Sequence, residues 1–353
     1  MIKMGMPELL IDIKVAVDTA ITRSGRGVAA LILKDDTQTT ETFTYAKMKA
    51  VVKSHWTTAN YDYIEKTFDG SPARVIVERI GATNGDATAA LARLENKKVN
   101  YLAFPGATED EIAEVLSWVK QNRAAGSTVK AVLPSTAADN EGIINFATED
   151  ISVGKKVYTT AEYCCRIAGI LAGIDLDNSA TYTVLPEVTG IKESTDADAD
   201  VDAGKLILIN DGEHIKLGRA VNSLKTIGSN KTVDMKKIKI MDGLDLMCDD
   251  IRTSFEENYI GQRNSYDNKL LFVNAVNVYL TGLARDGVLD DEYNNIAYID
   301  VDAQRAYLEG IDPKYAEFSD DDIKKANTGS RVFVGCNVKM QDAIEDLNFT
   351  IFV

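Results

Sequence analysis

At 353 residues, 45% of them hydrophobic and 26% charged, the chain carries enough apolar material for two or more cores of ordinary globular type. No apolar run approaches the roughly 20 residues that span a bilayer, so membrane insertion by this chain is not expected. A formal net charge of −15 repels nucleic acid and anionic lipid, which disfavours direct nucleic-acid contact.

The opening MIKMGMPELLIDIK lacks an apolar signal region and a small-residue cleavage site, so synthesis and folding in the cytoplasm are expected. After Met6-Pro7, residues Ile11, Ile13, Val15 and Val17 alternate with Asp12, Lys14, Ala16 and Asp18. That is a half-buried strand pattern, and residues 1–22 read as an arm. Gly25 and Gly27 supply a bend before the apolar strand Val28 to Leu33.

From there strands and helices alternate. Phe43 to Val52 and Tyr61 to Thr67 read as helical or mixed, and Arg74 to Ile80 as a strand led in by Pro72. A helix over Asp86 to Leu94 and a strand over Tyr101 to Phe104 follow. Thr108 with Glu111 makes a capping box for a helix that carries Ile112, Val115, Leu116 and Val119 on one face and ends at Gly126. The strand Val129 to Leu133 stops at Pro134, and Tyr158 to Gly173 forms a helix whose Ala168, Gly169, Ala172 and Gly173 permit close packing. An exit strand is expected over Ser179 to Leu185. Buried strands separated by amphipathic helices predict an α/β domain over 23–190 with a largely parallel sheet.

Such sheets carry sites at their carboxyl edge, but the loops after Ile80, Phe104 and Leu133 hold neither a Walker A sequence nor a GxGxxG turn. His55 and His214 stand far apart in sequence, and the latter reads as a packing or surface residue. Cys164, Cys165, Cys248 and Cys336 lie in apolar patterns without a CxxC pair and read as buried free thiols. The acidic stretch Ser194 to Asp202 starts like a calcium loop, with Asp196, Asp198 and Asp200 at alternate positions. Val201 and Ile207 stand where such a loop needs Gly and Glu, so a solvated turn is expected and no metal.

Residues 191–343 read as a second, α+β domain. A strand over Lys205 to Asn210 turns at Asp211-Gly212, a strong hairpin signal. A strand over Lys237 to Met241 introduces a helix, Leu244 to Asn258, with the apolar stripe Leu244, Met247, Cys248, Ile251 and Phe255 and a charged face of Asp249, Asp250, Arg252, Glu256 and Glu257. A helix over Lys269 to Leu283, a strand over Ile296 to Val301 and a short helix capped by Asp320-Asp321-Asp322 follow. The chain closes on two alternating strands: Val332, Val334, Cys336 and Val338 share one side of the first, and Leu347, Phe349, Ile351 and Val353 one side of the second. Residues 344–353 thus read as an arm whose partner strand is not evident.

The segments KIKIMDGLDLMCDDIRTSFEENYIG and KLLFVNAVNVYLTGLARDGVL, with the two closing strands, resemble the carboxyl domain of contractile tail sheath proteins. SGRGVAALILKDD and AEYCCRIAGILAGIDLDNSATYTVLPEV resemble the stretches after the amino arm and before the carboxyl domain of the same family. The likeness is greatest to the small sheaths of myophage-like prophages and R-type bacteriocins, such as diffocin-like particles. It implies a subunit that stacks in rings as a helical homopolymer around an inner tube protein, between baseplate and terminator proteins, and contracts to drive the tube through a target envelope.

The resemblance further implies that 23–190 faces outward and that Leu10 to Val17 and Leu347 to Val353 add strands to neighbours' sheets. It implies attachment of a carboxyl-domain helix to the tube through charge, for which Asp249, Asp250, Arg252 and Glu256 are the matching candidates. It implies assembly in the bacterial cytoplasm and release on lysis, and no catalytic residue or cofactor. A small-molecule-binding α/β protein or enzyme, and a closed oligomer that swaps end strands, remain compatible with the residues themselves.

Overall fold

A computed structural model describes residues 21–352 except Arg23, Ser24, Arg26, Asn84 and Asn230. The arm residues Ile11, Ile13, Val15 and Val17, and the final Val353, lie outside the described residues.

In chain order come β1 (Val28–Lys34), β2 (Thr42–Tyr45), α1 (Thr58–Phe68), β3 (Arg74–Ile80), α2 (Ala87–Glu95), β4 (Tyr101–Ala103), α3 (Glu109–Ala124), β5 (Lys130–Pro134) and β6 (Ile143–Phe146). Next are β7 (Glu149–Val153), β8 (Lys156–Tyr158), α4 (Thr160–Gly173) and β9 (Val188–Lys192), then α5 (Ala197–Asp202), β10 (Lys205–Leu206), β11 (Leu208–Asn210) and β12 (Ile215–Leu217). The last part holds α6 (Ile238–Asn258), α7 (Tyr266–Arg285), β13 (Ile296–Ile299), α8 (Val301–Glu309), α9 (Asp320–Lys325) and β14 (Val334–Asn337).

The central sheet has seven strands in the order β10-β6-β5-β4-β1-β3-β2. Every pairing is parallel except β2 with β3. Its middle strands are buried nearly throughout because helices cover both faces. Leu31, Leu33, Val75 and Val77 pack with residues of α1 and α4 on one face, whereas Ala30, Ile32, Ile76 and Leu102 pack with α2 and α3 on the other. The α1–β3 turn presses so close to α4 that a Cβ on Gly169 would strike the Thr67 carbonyl, and one on Gly173 the carbonyl of Gly70. This is the close packing its small residues permit.

The helices start where capping chemistry puts them. Thr108 and Glu111 form the expected capping box on α3, and Gly126 beyond its end sits at φ +95°. A second box, Thr159 with Glu162, starts α4. The Asp211-Gly212 turn joins β11 to β12, with Gly212 at φ +94°, and His214 beside it is exposed. A third core gathers Leu246 and Met247 of α6, Phe272, Val276, Tyr279, Leu280 and Leu283 of α7, and Ala297 and Ile299 of β13.

Several expectations fail for physical reasons. Phe43 to Val52 holds β2 and a 3-10 turn at Met48–Ala50 rather than a helix. Ser179 to Leu185 pairs only in its second half, where one bridge from Val184 to Lys216 is flanked by the Leu217 N–H donating to the Thr183 carbonyl and the Leu185 N–H to the Ile215 carbonyl (both 2.9 Å). The Ser179 and Thr181 hydroxyls fold the first half into a local turn. The acidic turn is a helix, α5, capped by Asp196. Lys237 to Met241 is the cap and first turn of α6; its Ile238, Lys239, Ile240 and Met241 are all buried, which removes the polar face that marks a surface helix. Val301 opens α8 rather than ending a strand. Of the four thiols, Cys164 and Cys165 are buried, and burial pushes Cys165 up to about 12, but Cys248 and Cys336 are exposed. Among the described residues, 341–352 form neither helix nor strand.

Candidate assembly surface

β13 and β14 pair antiparallel as a sheet of two strands among the described residues, with Tyr298 opposite Gly335. The Asp300 N–H donating to the Phe333 carbonyl (3.0 Å) continues the ladder and sets its phase. Residues 296 and 298 therefore turn their backbone groups toward β14, whereas 297 and 299 turn theirs outward, as do 334 and 336 on the other strand. At Ala297 the outward groups are taken by a side chain of α7. The Ala297 N–H donates to Asn277 Oδ1 (2.7 Å), and Asn277 Nδ2 donates to the Ala297 carbonyl (3.2 Å). One amide thus imitates a strand and closes that edge. The outward edge of β14, with Cys336 exposed, has no such cover among the described residues.

Beyond β14 the chain bridges Met340 to Leu289 and lays the Met340 side chain on Gly243 of α6. The tail then runs outward, with Leu347 83%, Phe349 76% and Ile351 72% exposed. Three large apolar side chains thus stand at alternate positions in water, and Phe352 beside them is exposed as well, an apolar patch of the kind that marks a partner surface.

The charged face of α6 divides. Asp250, expected at a surface, is 1% exposed and accepts a hydrogen bond from Tyr279 Oη (2.7 Å), so it is a structural carboxylate of the third core. Asp249 accepts from Thr128 Oγ1 (2.8 Å) and lies 4.0 Å from Lys98 Nζ, facing the loop before β5. Arg252 packs its guanidinium by Gly126 and keeps a partly exposed side chain. Glu256 is exposed.

A set of α6 side chains that sequence reasoning missed joins this helix to the central sheet. Lys130 of β5, 1% exposed in its side chain, pairs with Asp245 and with Asp242 Oδ1 (3.1 Å). Tyr101 Oη donates to Asp242 Oδ1 (2.8 Å), and Arg123 grips Asp245 with two bonds of 3.1 and 3.0 Å. Burial opposes the Arg123 charge, but the Asp245 and Glu141 carboxylates hold its pKa above the ordinary guanidinium value. Asp242, Asp245 and Asp249 stand at i, i+3 and i+7. That spacing puts three carboxylates on one helix face and was a readable signal of a partner surface.

Residues 81–223 match the family model described as the phage tail sheath protein central domain, and residues 230–353 that of the phage tail sheath C-terminal domain. The tail sheath protein of Clostridium phage phiCD119 is 36% identical over 359 residues, spanning 98% of this chain and 99% of that protein. The fold matches the sheath tail protein of Desulfitobacterium hafniense with a TM-score of 0.68 at 15% identity, covering 83% of this chain and 94% of that one. It also matches the contracted PVC sheath of an extracellular contractile injection system, with a TM-score of 0.71 at 10% identity over 100% and 98% of the two chains. The two structures share the fold, and the full-length identity carries the kinship: the chain belongs to the phage tail sheath family, as a structural subunit of a tail sheath.

Proposed function

We propose that this subunit builds stacked rings around an inner tube by lending strands to neighbouring copies, and that the outward edge of β14 receives a lent strand. The observation that carries the reading is the exposed alternation of Leu347, Phe349 and Ile351 beyond a two-stranded sheet with an uncovered edge. Backbone groups on such an edge give affinity, and alternating side chains set the register. The amino arm over Ile11 to Val17 would be lent in the same way, starting from Ile21, which packs on the α6–α7 core.

Contraction needs no bond chemistry. An extended lattice whose contracted form buries a few hundred Å² more apolar surface gains several kcal/mol per subunit at about 25 cal/mol per Å², before costs, and many subunits add. The lent strands keep their backbone bonds in both states while polar contacts re-register. On α6 the tube-facing role passes to Arg252 and Glu256, with Asp249 at the margin. Baseplate and terminator proteins cover the two ends of the polymer, and the particle forms in the bacterial cytoplasm and leaves on lysis.

Deleting residues 347–353 tests the reading. The truncated chain should remain folded by circular dichroism yet form no cylinders by negative-stain microscopy, whereas deletion from Val332 removes β14 and should unfold the carboxyl part. Cylinders from the shorter deletion would refute strand lending by this end, and discrete small rings from the intact chain would favour a closed strand-swapped oligomer.

A further inference from the structure

We infer that Asp342, Glu345 and Asp346 are positioning residues that clamp the root of the carboxyl arm to its own subunit, so that the free strand begins at Leu347. The inference rests on the strand-lending reading above. Between Met340 and Leu347 the chain has no helix or strand to hold it, yet its carboxylates are bound by three separate parts of the fold. Lys237, at the cap of α6, pairs with Asp342 and lies 3.5 Å from Glu345 Oε2. Arg219, after the β11–β12 hairpin, reaches Glu345 at 3.7 Å and Asp346 at 2.5 Å. From the loop before β9, Thr181 Oγ1 and Ser179 Oγ donate to Glu345 Oε1 at 2.6 and 3.2 Å. Thr181 Oγ1 accepts from the Ala220 N–H (3.0 Å), which leaves its proton for Glu345.

The Glu345 side chain is 5% exposed, whereas Ile344 beside it is 98% exposed. In a segment docked by hydrophobic burial that order would be reversed, so charge holds this root. Burial opposes the charge on Lys237, but Asp342 and then Glu345 raise its pKa above the ordinary ammonium value. A desolvated carboxylate between two cations and two hydroxyls is screened far less by salt than the exposed pairs at Asp342 and Asp346.

The clamp also sets reach. From Asp346, residues 347–353 extend at most about 25 Å; if the root lets go back to Met340, six more residues add about 20 Å of slack. A lent strand then tethers its neighbour loosely, and tension between rings no longer passes into α6 and the hairpin.

The test is the double variant R219A/K237A beside the conservative R219K/K237R, in the full-length chain. A Glu-specific protease should cut after Glu345 roughly tenfold faster in the unpolymerised R219A/K237A subunit, because the segment opens more often. R219K/K237R should restore the parent rate. Cylinders of R219A/K237A should still form, since the strand is intact, but with blurred helical layer lines and breakage on contraction. Unchanged cleavage, or parent-like order in R219A/K237A cylinders, would overturn the clamp. Failure of the parent itself to form cylinders would instead overturn strand lending, and the cleavage rates would still decide whether the root is held.

Discussion

The central sheet and the β13–β14 sheet use the same backbone hydrogen bonds to opposite ends. In the first, seven strands are covered by helices on both faces, the outer strand β10 is only two residues long, and the other outer strand, β2, is tied to Glu78 of β3 through the Thr42 hydroxyl (2.8 Å). Short and pinned edges are how a sheet avoids unwanted partners. In the second, two strands leave one edge uncovered among the described residues and close the other with a single amide. Pairing completed inside the subunit supplies stability; pairing left incomplete is available to another copy. Changes in the first region should therefore cost folding free energy, and changes in the second should alter assembly.

The largest effect is expected at Lys130. Its ammonium is shared by Asp242 and Asp245 where β5 meets α6, and Lys130→Ala leaves buried carboxylates short of their cation. Removing one partner of a buried pair costs about 3 to 5 kcal/mol, and the retained Arg123 and Tyr101 contacts put this site at the lower end, about 3 kcal/mol. Urea unfolding should show that loss, while the fraction still folded assembles normally. A variant as stable as the parent would mean that the joint between sheet and α6 is carried by apolar packing instead.

That joint also marks where sequence reasoning stopped. The middle of the parallel layer, β1, β3, β4 and β5, was legible because these strands are short apolar runs bounded by Pro, Gly or a cap, as in Arg74–Ile80, whereas the short β6 and the two-residue β10 carry too few residues to show such a run. The first turn of α6 was not, because Ile238 and Ile240 alternate with Lys237 and Lys239 in a strand-like period, and burial of the whole turn hides the helical one. Asp250 was assigned to the surface because a charged residue defaults there; the Tyr279 hydroxyl that permits its burial is 29 residues away in sequence. The tail showed its alternation plainly, yet no residue of the same chain identifies the strand it completes. The clamp at Glu345 rests on Thr181, Arg219 and Lys237, and no local pattern brings those three together.

A smaller effect, about 2 kcal/mol, is expected for Asn277→Leu, which removes two hydrogen bonds with a side chain of similar shape. The change strips the cover from Ala297 and gives the β13–β14 sheet a second usable edge. Assembly should shift from regular cylinders toward branched or laterally joined aggregates by negative stain, with a smaller fall in the urea midpoint than Lys130→Ala gives. Regular cylinders from Asn277→Leu would show that the β13 edge is kept from pairing by something other than this amide.

Acid should separate the two kinds of contact most finely, because strand pairing contains no titratable group. Asp139, after β5, accepts hydrogen bonds from the Lys225 and Thr226 N–H groups (2.6 and 2.8 Å), tying the central layer to the run before α6. Hydrogen bonding by Thr226, through its hydroxyl and then its N–H, and by the Lys225 N–H holds this carboxyl down at about 2, against an ordinary value of 3.8. A depressed folded-state pKa means that the unfolded chain takes up the proton first. The contribution is thus present in full above about pH 4 and fades as pH falls toward 2. Asp139→Asn cannot ionise, so the urea midpoint of the parent should exceed that of the variant by a constant margin at neutral pH, and the two should converge near pH 2. The asparagine amide keeps an acceptor oxygen and tolerates the φ of +48° found here, so the variant isolates the charge, and a gap that stays the same across this range would show that the loss does not come from ionisation of Asp139.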